Sequence, residues 1–184
     1  MLDVAAEAFY AEGVAAVGVD ALAARSGVSK PTLYVQFGSK PALVAAVLAR
    51  RHEDQRASLE RFLADASEDP VERLVSVFDW LGEWHAEHGG RGCGFLNVAA
   101  ELPDPEHPAR TVITAHKRWL VDLLTELARR AGQPEPEELG YALLLLVDGA
   151  NARWLVEPAE PASERAKRAA VRLLRPPPVR PTGS

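Results

Sequence analysis

A chain of 184 residues with 47% hydrophobic and 26% charged residues can bury one good core and a smaller second one. Its net charge of −5 argues against a cationic coat for membranes or RNA, and charges break the apolar stretches well short of about 18 residues, so no membrane-spanning helix is expected. A single cysteine, Cys93, makes no internal disulfide and fits a reducing cytoplasm, and no charged-then-apolar leader precedes a cleavage site.

Apolar residues recur at spacings of three and four with no sustained alternation, so the expected fold class is all-α. The most informative stretch is residues 19–43, which reads as two short helices about a sharp turn, followed by the start of a third. Leu22 and Ala23 lie in the middle of the first, where the small Ala23 permits close packing of a second helix. Gly27 can adopt the left-handed backbone that ends that helix. Val28 and Leu33 supply apolar contacts that hold the second helix at an angle, with its N-terminal end facing outward as a major groove requires. Ser29-Lys30-Pro31 and Ser39-Lys40-Pro41 each set a capping hydroxyl before a lysine and a proline, the order of a helix start. Each such start offers unpaired N–H groups beside a cation, so two phosphate anchors are expected, one on each side of the reading helix.

Further along, a long helix is expected over residues 40–64 and another over residues 70–88, the latter opened by Asp69-Pro70-Val71-Glu72. Gly89, Gly90, Gly92 and Gly94 break it, and a short helix over 96–101 ends at Leu102-Pro103-Asp104-Pro105. Two long helices follow over 106–131 and 135–156, separated by Gly132-Gln133-Pro134, then a last one over 162–174. Arg175-Pro176-Pro177-Pro178 opens a polar end expected to be disordered, and no internal repeat is visible.

The run AAEAFYAEGVAAVGVDALAARSGVSKPTLYVQFGSKPAL resembles the DNA-binding domain of the TetR family of ligand-responsive transcriptional repressors. Phe9, Gly13, Gly27, Val28, Ser29, Leu33, Tyr34, Phe37, Ser39, Lys40 and Leu43 fall on the family pattern, across about the first quarter of the chain. RGCGFLNVAAELPDPEHP is similar to a segment in the ligand-binding domains of one subset of these repressors. The resemblance implies a helix-turn-helix DNA-binding domain over residues 1–45 and a helical ligand-binding and dimerisation domain over 46–175, with 176–184 as the tail. It implies that Ser29, Lys30, Pro31 and Thr32 face bases or the adjacent backbone, and that Tyr34 and Lys40 touch phosphates. Three departures stand out: Gly18 replaces the usual Ser or Thr that caps the second helix, Gln36 replaces a common His, and the sequence begins inside the first helix, without the basic arm that often precedes it.

Charge limits the expected affinity. Over residues 1–45, Arg25, Lys30 and Lys40 oppose Asp3, Glu7, Glu12 and Asp20, so non-specific binding should be modest and rest on few cations, with Arg50 and Arg51 as further candidates. The competing reading of the segment is a helical hairpin that binds protein.

Two further sites are expected in the body. Ala142, Leu145, Leu146, Gly149, Ala152 and Arg153 recur at helical spacing, and the resemblance implies that the two long helices pair with a second copy across a four-helix interface. Alternatively, these small residues only tighten the chain's own core. Trp80, Trp84, Phe95, Trp119 and Tyr141, with Asn97, Glu101 and His116, read either as a pocket for a small, mostly apolar effector or as ordinary core. His85, His88 and Cys93 lack a fourth ligand for zinc, and Cys93, with no neighbouring cation, reads as a small packed residue at a turn. No metal, cofactor or catalytic set is expected. The leading function is therefore a cytoplasmic, homodimeric repressor of double-stranded DNA operators, released by a small molecule. The alternative is an all-helical binding or enzyme domain that keeps the helix-turn-helix as scaffold.

Overall fold

The computed structural model describes residues 1–88, 91–158 and 161–174, and among them every regular element is a helix. In chain order these are α1 (Leu2–Glu12), α2 (Val19–Ser26), α3 (Lys30–Phe37), α4 (Lys40–Ala64), α5 (Pro70–Val75), α6 (Val77–His88), α7 (Gly94–Glu101), α8 (Pro108–Arg130), α9 (Pro136–Val156) and α10 (Ala162–Leu173). The expected tail at 176–184 lies outside the described residues.

Local chemistry sets some of the boundaries directly. Asp69 caps α5 by accepting from the N–H groups of Val71 and Glu72, both at 2.9 Å, with Pro70 at the first helical position. The helix expected over 70–88 is interrupted at Ser76, whose hydroxyl donates to the Arg73 carbonyl at 2.8 Å and competes with the helical ladder there.

The chain divides into two compact units, one of Met1–Ser58 with Arg91–Lys117, the other of Leu59–Gly90 with Arg118–Ser184. This division differs from the expected boundary after residue 45, because α7 and the first part of α8 belong with α1 to α3. In the first unit, Phe9, Leu22, Leu33, Leu43, Phe95 and Ile113 share one buried cluster. In the second, Leu74, Phe78, Trp80, Trp84, Leu124, Leu143 and Val147 do the same. Gly140 of α9 is buried against α8, where a Cβ would stand 2.8 Å from the Thr125 backbone nitrogen and closer still to its hydroxyl. Only a residue without a side chain permits that approach.

One helix comes near the limit set by the sequence. Among the described residues α9 is long and apolar enough, by length and composition alone, to cross a membrane. Glu137 and Glu138 sit at one end, and Asp148 and Arg153 interrupt the remainder as the sequence leads one to expect. Leu143, Leu144, Val147 and Ala150 of the same helix are buried in the second unit, and a core helix meets the same criterion.

Candidate nucleic-acid interface

Two buried leucines set the α2–α3 geometry. Leu22 and Leu33 are fully buried, one from each helix, and Gly27 between them has φ 68° and ψ 12°, the left-handed conformation that ends α2. Ser29 then starts α3: its hydroxyl accepts from the Thr32 N–H at 3.3 Å and lies 2.7 Å from the Thr32 hydroxyl. Ser39 repeats the device at α4, accepting from the Ala42 N–H at 3.2 Å. Both Ser-Lys-Pro triplets therefore mark helix starts. Gly18 stands at the start of α2 and supplies no side-chain cap.

With Leu33 turned inward and Phe37 partly buried against the same core, the other positions of the short helix face out. Ser29, Lys30, Pro31, Thr32 and Tyr34 are all exposed. Val35, which the sequence reading did not single out, is 88% exposed, and Gln36 is exposed as well.

The expected cations already have partners. Arg25 forms a two-pronged pair with Glu12, and its hydrogen bonds hold the Glu12 carboxyl below the usual range. The Lys30 ammonium is 2.8 Å from an Asp20 carboxylate oxygen, and its hydrogen bond to that group raises the lysine above its ordinary value. Exposed pairs of this kind are screened by solvent and contribute little, so a phosphate can displace them readily. Lys40 differs, because its ammonium donates to the Val14 carbonyl at 2.7 Å in a half-buried position and so ties α4 to the α1–α2 turn. The Arg50 guanidinium is 2.6 Å from Asp3, and that of Arg51 lies over the Tyr10 ring, 4.7 Å from its centre.

The family model described as "Bacterial regulatory proteins, tetR family" matches residues 1–47, which span α1, α2, α3 and the start of α4. A solved TetR-family transcriptional regulator from Streptomyces coelicolor is 33% identical and superposes with a TM-score of 0.85, over 92% of this chain and 89% of that one. The chain belongs to the TetR family of transcriptional regulators. A second solved regulator, from Streptomyces avermitilis, is 34% identical over 92% of this chain and 95% of its own, with a TM-score of 0.75. The transcriptional activator FasR of Mycolicibacterium smegmatis is 38% identical over 113 residues, 61% of this chain and 51% of FasR, so the match spans about half of that relative. The TetR family is non-enzymatic, and membership makes this chain a helix-turn-helix, DNA-binding regulator.

Within this TetR-family chain the expected pocket residues fall into two groups. Phe95, Asn97, Glu101 and His116 belong to the first unit, and each has a local role there. The Glu101 carboxylate accepts from the Ala15 N–H at 2.9 Å, which fastens α7 to the α1–α2 turn. Asn97 donates to the Arg91 carbonyl at 2.7 Å. His116 stacks on Phe95 at 3.7 Å, and its Nδ1 is 3.1 Å from that of His52. Trp80, Trp84, Trp119 and Tyr141 belong to the second unit, where Trp80 and Trp84 pack with ring centres 5.8 Å apart and Trp119 lies partly buried against the same core. Tyr141 is 58% exposed and turns away from that core.

The expected dimer residues on α9 also separate by burial. Leu145, Gly149, Ala152 and Arg153 are exposed, while Ala142 and Leu146 are half-buried. His85, weighed as a metal ligand, is buried in the second unit with its Nε2 2.9 Å from the Asn151 side-chain Oδ1, whereas Cys93 belongs to the first unit. Cys93 does have a neighbouring cation, contrary to the sequence reading, since the Lys117 ammonium donates to its sulfur at 3.8 Å.

Proposed function

We propose that this TetR-family regulator is a cytoplasmic homodimer that represses by occupying a near-palindromic operator and leaves it when a small, largely apolar effector binds its helical body. The observation that carries the DNA assignment is α3 itself: capped at Ser29, anchored by buried Leu33, and exposed at Pro31, Thr32, Tyr34 and Val35. Lys30 and Arg25 exchange their carboxylate partners for phosphates, and Tyr34 offers a hydroxyl to the backbone.

Burial supports a second copy as the partner of α9. Tyr141, Leu145, Gly149 and Ala152 form an exposed stripe at helical spacing, and nothing lies within 4 Å of where a Gly149 side chain would begin. Gly149 therefore does not tighten the chain's own core. In the neighbouring α10, Val171 and Leu173 are exposed among the charged Glu164, Arg165, Arg168 and Arg172, whereas the exposed residues of α8 in this unit, Arg118, Asp122, Arg129 and Arg130, include no apolar one. The apolar face thus favours α9 with α10, where the sequence reading favoured the two long helices. Trp80, Trp84 and Trp119 supply aromatic surface for an effector in the second unit. Release follows from unequal effector affinity for two states of the dimer.

Selection of bound sequences from a random duplex pool tests the reading, followed by titration of the enriched duplex with Lys30→Ala. Enrichment of a near-palindrome, and a slope of log affinity against log salt reduced by about one in the variant, are expected. Failure to enrich any duplex would leave the helix-turn-helix as scaffold. A reporter driven by the recovered site should rise when the regulator is removed, and a fall would make the protein an activator, as FasR is named.

A further inference from the structure

One ridge on the outward face of α3 is apolar. Pro31 and Val35 are four residues apart and therefore stand one turn above the other, on the side opposite buried Leu33. Val35, at 88%, is the most exposed of the large hydrophobic side chains among the described residues. A β-branched residue lowers the propensity of a short surface helix and leaves its methyl groups in water, so the folded monomer gains nothing from it. The polar groups that could read a purine from this ridge are few. Lys30 is assigned above to a phosphate, the Thr32 hydroxyl is engaged with Ser29, α3 carries no arginine, and Gln36, though exposed, stands one residue and so about 100° around the helix from Val35.

In the major groove the one apolar group on a base edge is the 5-methyl of thymine. We propose that Val35, with Pro31 one turn before it, packs against thymine 5-methyl groups, so that each operator half-site carries a thymine where Val35 meets it. This rests on the DNA-reading assignment above and adds what is read. Burying one methyl group against another corresponds to about a fourfold change in affinity per half-site.

The test uses the duplex recovered from the random pool. Each thymine is replaced in turn by deoxyuridine, which removes the 5-methyl group and keeps base pairing, and wild type is compared with Val35→Ala. At one symmetry-related pair of positions wild type should lose about fourfold per half-site, while Val35→Ala binds the thymine and uracil duplexes alike. The same loss in both proteins, or no loss in wild type at any position, would overturn the proposal while leaving DNA recognition intact. If no duplex is enriched at all, the DNA assignment fails and the proposal falls with it. Unchanged helical content in Val35→Ala, expected at so exposed a position, assigns the effect to the contact.

Discussion

Gly18 begins α2 with ordinary extended backbone, φ −78° and ψ 156°, and open space where a side chain would start. A serine fits there without strain, so Gly18→Ser should add an N-cap hydrogen bond, reduce the freedom of the unfolded chain, and raise unfolding free energy by about 0.5–1 kcal/mol. Urea unfolding measures this, and unchanged or lower stability would mean that the α2 start is held otherwise. His116 makes a second residue-scale case. Burial, aided by the charges of Lys117, His52 and Arg51, lowers its imidazole to about 3, against about 6.5 in the unfolded chain. The unfolded state therefore takes up the proton first as pH falls, so this stability is complete above about pH 6.5 and is lost progressively toward pH 3. By pH 5 the loss should be about 2 kcal/mol, and His116→Gln should lack that part of the pH dependence whatever its absolute stability. Equal losses in both proteins between pH 7.5 and pH 5 would reject the assignment. Residue roles were legible where the partner is local, as with Ser29 and Thr32. They were not legible for Lys40 or Glu101, whose partners Val14 and Ala15 lie 26 and 86 positions away.

At the scale of elements, helix starts are written in short runs of sequence, and both Ser-Lys-Pro triplets and Asp69-Pro70 could be read directly. Interruptions and packing partners depend on more distant chain. The break at Ser76 follows from one hydroxyl choosing the Arg73 carbonyl, an option that the apolar period does not encode. The approach of α9 to α8 at Gly140 was equally hidden, because a lone glycine in a helical pattern does not say what lies opposite. Gly140→Ala should improve intrinsic helix propensity by about 1 kcal/mol yet destabilise the protein by about 1–3 kcal/mol, since Thr125 or the helix axis must move. Thermal unfolding decides the sign, and a stabilised variant would show that α9 can shift freely.

For the whole molecule, the all-helical class and the helix-turn-helix followed from periodicity and motif spacing, whereas the division into units did not. In sequence Phe95 reads as an aromatic and His116 as a polar group of either a pocket or an ordinary core, and the folded chain stacks the two in the unit that holds the helix-turn-helix. The exposed stripe on α9 is a property of the same scale. Leu145 is 59% exposed, so Leu145→Arg should leave the monomer fold intact while shifting sedimentation from dimer to monomer at micromolar concentration. An undiminished dimer would place the interface elsewhere.

If two copies of α3 enter successive major grooves about 34 Å apart, rotational register between half-sites is indispensable. Affinity for the recovered palindrome, measured before and after inserting five base pairs at its centre, tests this most directly. A half-turn insertion should reduce binding to the level of a random duplex by moving one half-site to the opposite side of the helix. Undiminished affinity would contradict recognition by a rigid two-fold dimer.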